Sequence, residues 1–199
     1  MTPTVRRRTV RGYLRRMTLL QEQLSIIADV TAEERAQRLT SAGTAWNERI
    51  AADAGAAALT YKVTGRGIGS VATEIRAGKH RFLVDEPGAL AGDDAAASPV
   101  EYALGALVSC QVVVFRLYAQ ALGLTIDEIE ITAEGDLDVR KLFGIDESGR
   151  AGFHDVRVRV DITGPDTAEQ YEELRRVVDA HCPVLDLFAN PVPTSGALV

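Results

Sequence analysis

The sequence is short of cysteine, of long apolar runs, and of any excess of glycine or proline, and each shortage excludes a class of protein. Two cysteines in 199 residues, with no secretory signal, do not make a disulfide framework. A reducing compartment follows as the default, with the cytoplasm as the expected location. Any function for Cys110 and Cys182 must therefore come from thiol reactivity. In the most apolar region the uncharged stretch runs only from Tyr102 to Phe115, closed by Glu101 and Arg116. That is too short to span a bilayer, which needs about 20 residues, so a soluble chain is expected with no membrane partner. With 17 glycines and 7 prolines, usage is ordinary, and neither a collagen-like nor a low-complexity protein fits.

What is present is the makeup of a folded chain: 46% hydrophobic and 25% charged residues, enough for one compact domain or one domain with an appendage. The net charge of −6 is unevenly spread. Arg6, Arg7, Arg8, Arg11, Arg15 and Arg16 all precede the first acid, Glu22, and leave the rest strongly acidic. An acidic body argues against nucleic acid as a partner. The basic start reads first as a solvated or partner-facing tail and second as an organelle transit segment.

Residues 1–56 read as a helical extension. Leu14, Met17, Leu20, Leu24 and Ile27 recur at helical spacing, and Thr31 with Glu34 forms a capping box for a second helix ending near Ala54. From Ala58 the period changes to two. Leu59 to Val63 and Val71 to Arg76 read as strands, with Gly65-Arg66-Gly67 as a turn, and His80 to Val84 as a third strand. Ser98-Pro99-Val100-Glu101 is a helix start with serine at the N-cap, proline at the first position and glutamate capping back. This helix runs to Leu122 with Gly123 as its stop, and its middle is apolar on every face, so burial on most sides is expected.

Strands are expected at Ile126 to Ala133, Leu137 to Val139 and Val156 to Ile162. Asp166 with Glu169 starts a further helix to His181, broken by Cys182-Pro183, and Val192 to Val199 is read as a last edge strand. The order of elements is that of an α+β fold.

Cys110 lies twelve residues past its N-cap, about 18 Å along the axis, beyond the field of its own helix terminus. By composition it is first an inert core cysteine, and reactivity would require a cation from another element. Cys182 sits at a helix junction where unpaired backbone N–H groups favour a thiolate. Two thiols on separate elements also fit a peroxidatic and a resolving cysteine. Glu101 has an ordinary role as a cap. His154 shares parity with the buried face of its strand and reads as a core residue, and His80 and His181 carry weaker signals. The cysteines and histidines lack the close-spaced ligand pairs of a zinc site, so neither metal nor cofactor is expected.

The run Ser98-Pro99-Val100-Glu101 through Ser109-Cys110 resembles the Pro-x-Glu…Ala-Leu-x-Ser-Cys helix of the OsmC/Ohr family, the osmotically inducible and organic hydroperoxide resistance proteins. His181-Cys182-Pro183-Val184 resembles its second-cysteine motif, and Lys141 to Val160 its middle strands. The resemblance covers residues 57–199. It implies an intertwined homodimer with antiparallel sheets packed on a long buried cysteine-bearing helix. It further implies a thiol peroxidase acting on organic hydroperoxides, with hydrogen peroxide as a further substrate.

In that scheme Cys110 becomes a sulfenic acid, Cys182 resolves it as a disulfide, and an external dithiol reduces the pair. The family's activating arginine falls on Arg66 or Arg81, with Arg81 favoured because its strand leads toward the helix start. The glutamate that holds the arginine corresponds to Glu101, although Val100 occupies the position directly after the proline. This departure brings the chain closer to the OsmC-like branch. A noncatalytic binding or scaffold protein with buried, unreactive thiols is the alternative.

Overall fold

The computed structural model describes residues 24–198. The chain divides into two compact units, Met1–Arg38 and Leu39–Val199. The helix expected around Leu14, Met17 and Leu20 lies outside the described residues. The Thr31 capping box forms as anticipated: Thr31 N donates to Glu34 Oε2 at 2.8 Å and Glu34 N to Thr31 Oγ1 at 3.1 Å. It opens α1 (Ala32–Ala52), which buries no residue.

Three strands follow, β1 (Val63–Ile68), β2 (Ala72–Ala77) and β3 (His80–Val84), in an antiparallel sheet of that order. Gly65-Arg66-Gly67 is not a turn but the middle of β1. Gly65 lies opposite Ile75, where an added Cβ would stand 3.1 Å from Thr73 Cγ2 and 3.3 Å from Ile75 Cδ1. A larger residue there would crowd both side chains, and the turn falls later, at Gly69, whose φ of 58° suits glycine. β1 is exposed along its whole length.

The cysteine helix, α2 (Pro99–Leu122), begins and ends as its sequence signals require, with a complete Ser98–Glu101 capping box and Gly123 at φ 72°. It is buried on one face only, through Leu107, Gln111, Val114, Phe115 and Ala119. Val113, on another face, is 56% exposed. The burial expected on most sides is thus not reached within one chain. By length and composition α2 is apolar enough to cross a membrane. Its buried face nevertheless packs in a core with residues of β4, β5 and α3, as the central helix of a globular domain does.

The second sheet pairs β4 (Glu128–Asp136) with β5 (Asp155–Thr163) antiparallel. Ile129, Ile131, Val158, Val160 and Ile162 face the core, while the alternate positions carry charge outward. The strand expected at Leu137 to Val139 does not form, and β4 instead continues through Gly135 to Asp136. α3 (Ala168–His181) starts one residue later than expected, because Thr167 and Gln170 make the capping box. Asp166 is engaged elsewhere, its Oδ2 accepting from Thr125 N at 2.6 Å. α4 (Pro183–Ala189) follows directly. Residues 191–198 form no strand, since Pro191 and Pro193 lack the N–H that a sheet ladder needs. The whole is an α+β architecture.

Candidate functional site

The ridge Leu174, Val178, Cys182, spaced every four residues, is the buried stripe of α3 and packs against Val114, Phe115 and Ala119 of α2. This packing carries Cys182, 1% exposed, to the half-buried Cys110. Both thiols are free, and the Cys182 side chain is close enough to act directly on Cys110. Cys182 is at once the C-cap of α3 and the N-cap of α4, with extended φ and ψ of −82° and 109°. Pro183 occupies the first position of α4, where it supplies no N–H. The backbone N–H of the next residue, Val184, lies near enough to the Cys110 sulfur to favour its anion.

The Cys110 thiol is pushed above its ordinary value, chiefly by burial and further by the Cys182 side chain beside it, while the Val184 N–H pulls it down. Among the described residues no guanidinium contributes. One N–H of this helix junction, that of Val184, thus serves the other thiol. Cys110 is too far along α2 to use that helix's own terminus and receives instead a donor from the first turn of α4.

Glu101 is a cap. Its Oε2 accepts from Ser98 N and Ser98 Oγ, both at 2.7 Å, and the serine holds the carboxyl below its usual range. Arg81 and Arg66 share one carboxylate that sequence reasoning missed: Arg81 Nη1 is 3.0 Å from Glu74 Oε1 and Arg66 Nη2 is 3.2 Å from Glu74 Oε2. The signal lay in the register, because Arg66 pairs across from Glu74 once the turn is placed at Gly69. Within the chain both guanidiniums are exposed, on the first sheet.

His154 is exposed rather than in the core, since β5 begins only at Asp155, and its backbone N bonds Asp136 O at 2.9 Å. Phe153 points inward in its place, its ring 6.3 Å from that of Phe188. The His181 ring packs 4.7 Å from Tyr118, with Nδ1 2.7 Å from Val177 O. His80 is exposed at the start of β3. Among the described residues no group of three metal-ligating side chains gathers.

Sequence reasoning also passed over Gln111, next to Cys110 and 1% exposed. Its Nε2 donates to Asp179 Oδ1 at 3.4 Å, and its Oε1 meets no donor among the described residues. Asp179 also pairs with Arg175, which in turn holds Glu172.

Residues 92–195 match the family described as OsmC-like protein. No curated protein sequence matches. Among solved structures, an OsmC-like protein from Mycoplasma pneumoniae is similar at TM-score 0.57 and 17% identity, covering 66% of this chain and 88% of that one. The organic hydroperoxide resistance protein OsmC of Legionella pneumophila gives 0.52 and 19%, covering 65% and 89%. An organic hydroperoxide resistance protein from Elizabethkingia anophelis gives 0.51 and 21%, covering 65% and 88%.

Proposed function

From the membership of this chain in the OsmC-like protein family, we propose that it is a thiol peroxidase that reduces organic hydroperoxides through Cys110 and Cys182. The observation that carries this reading is the meeting of the two thiols, with the Val184 N–H on Cys110. The Cys110 thiolate attacks the distal oxygen of the hydroperoxide, the O–O bond breaks, and the departing alkoxide takes a proton to leave as an alcohol. Cys110 is then a sulfenic acid. The Cys182 thiol attacks that sulfur, a disulfide forms, and the oxygen leaves as water. Two exchanges with an external dithiol restore both thiols and oxidise the dithiol. The core packed around Cys110 is apolar, which suits an organic substrate.

A thiol pushed upward by burial needs a cation to ionise at neutral pH. The reading assigns that cation to Arg81, or Arg66, of a second copy of the chain. Support comes from β1, exposed along its whole length, and from Val113 and Leu117, 56% and 38% exposed on α2. A homodimer would cover both surfaces, in a reducing compartment such as the cytoplasm. Glu74 holds the arginines and Glu101 serves as cap.

The second reading is a noncatalytic member of the family, favoured by the upward shift of Cys110 and by the absence of a guanidinium on it among the described residues. Cumene hydroperoxide consumption separates the two. On the peroxidase reading Cys110→Ser abolishes it, and Cys182→Ser completes one turnover and leaves a sulfenic acid that dimedone traps. Equal consumption by wild type and Cys110→Ser would overturn that reading.

A further inference from the structure

Leu107, Gln111, Phe115 and Ala119 form one ridge of α2, four residues apart, each 3% exposed or less. Three are apolar, and leucine would fill the Gln111 position at lower desolvation cost. The amide is nevertheless there, and it spans the contact to α3 through Asp179 Oδ1. Asp179 is not a loose acceptor. Arg175, one turn earlier on α3, holds its other oxygen and is itself held by Glu172 at 2.8 Å. The bond ties two points beside the thiols: Gln111 follows Cys110 directly, and Asp179 precedes Cys182 by three residues, about 4.5 Å of helix rise. Slipping α3 by one residue would move Cys182 by about 1.5 Å and turn it by about 100°. Apolar ridges alone tolerate such slips, whereas a polar pair anchored by one buried partner, Gln111, opposes them.

We propose that Gln111 is a positioning residue for the thiol pair: through Asp179 it sets the register of the helix that bears Cys110 against the helix that ends in Cys182. The inference rests on the reading of the two cysteines as a redox pair and adds to it the element that makes their meeting reproducible. At 3.4 Å the bond is long, and the charge on its acceptor offsets part of that weakness. Its effect is on geometry more than on stability, because ring closure between two sulfurs is sensitive to displacements of an ångström.

The test is the equilibrium of the Cys110–Cys182 disulfide in the full chain, measured in buffers of oxidised and reduced dithiothreitol. There the two thiols become the disulfide as oxidised dithiothreitol becomes its dithiol, and no peroxide is needed. Gln111→Leu is expected to fold, with a melting temperature equal to or above wild type, and to form the disulfide about tenfold less favourably, about 30 mV for this two-electron couple. Asp179→Leu should give the same loss. Asp179→Asn, which keeps an acceptor oxygen, should recover most of it, and the Gln111→Leu/Asp179→Leu pair should lose no more than either alone. A merely structural role would move the melting temperature and leave the equilibrium unchanged. An unchanged equilibrium in folded Gln111→Leu overturns the proposal, as does Asp179→Asn behaving like Asp179→Leu if Gln111→Leu does not fold. A wild-type pair that fails to close in oxidised dithiothreitol overturns it too. A wild-type pair that closes there but ignores cumene hydroperoxide removes the peroxidase and leaves the positioning role standing.

Discussion

A thiol in the middle of a helix has no orphan N–H of its own helix to stabilise its anion, and Cys110 borrows one from Val184 while burial and Cys182 push the other way. The sign of each contribution makes a prediction. Because the thiol of the single chain lies above the ordinary value of 9.0, alkylation of Cys110 by iodoacetamide in a monomeric Val113→Glu chain, which no partner's arginine reaches, should accelerate as pH rises beyond that value. Replacing Cys182 with alanine removes an influence that raises Cys110, so its alkylation profile should move to lower pH. A profile unmoved by Cys182→Ala would show that the two side chains do not interact in solution. The same shift bears on stability. A group whose folded value is raised contributes fully below its unfolded value, and that contribution is lost as pH rises through the folded one.

At the scale of elements, α2 and α3 are held by a core in which Leu174 is fully buried. Leu174→Ala should cost about 2–5 kcal/mol in urea unfolding, and a loss below 1 kcal/mol would mean that the helices do not pack as described. Ser98 caps α2 through its hydroxyl, and Ser98→Ala should cost about 0.5–2 kcal/mol in the same measurement. The segment between β3 and α2 turns around Asp85, 2% exposed, whose Oδ2 accepts from Ala95 N at 2.9 Å and Asp93 N at 3.1 Å. The backbone N–H of Ala95, followed by those of Glu86 and Asp93, holds this carboxyl below its usual 3.8. Its contribution is present above that value and is lost as pH falls through the lowered one. Hydrogen exchange at Asp93 and Ala95 should therefore stay protected at neutral pH and open in acid, and Asp85→Asn should weaken protection at neutral pH while leaving the acid value little changed.

At the scale of the whole molecule, one chain leaves much apolar surface in water: Val63, Ile68 and Phe82 on the first sheet and Val113 on α2 are all at least 36% exposed. The proposed homodimer covers these surfaces and brings a guanidinium to Cys110. Sedimentation equilibrium should then give twice the chain mass. Val113→Glu should give a folded monomer in which most hydroperoxide consumption is gone, because its Cys110 lacks the partner's arginine. A fully active monomer would separate catalysis from assembly.

Local signals made most elements legible. The Ser98-Pro99-x-Glu101 start, the Gly123 stop and the strict alternation of β5 are short-range physics, and each formed where it was expected. The misreadings came where two local signals competed. Gly65 and Gly67 suggested a turn but lie inside β1, where only Gly65 is closely packed, Thr167 with Gln170 outcompeted Asp166 as a cap, and His154 had strand parity yet stands before its strand. In the site, the two cysteines and the cap could be named from residue types and spacing. Their meeting could not, nor could the Val184 N–H on Cys110, the arginines sharing Glu74, or the Gln111–Asp179 tie. Those contacts join residues distant in the chain or on different elements. Periodicity and capping act over a turn or a hairpin, so only the packing of α3 onto α2 brought the thiols together.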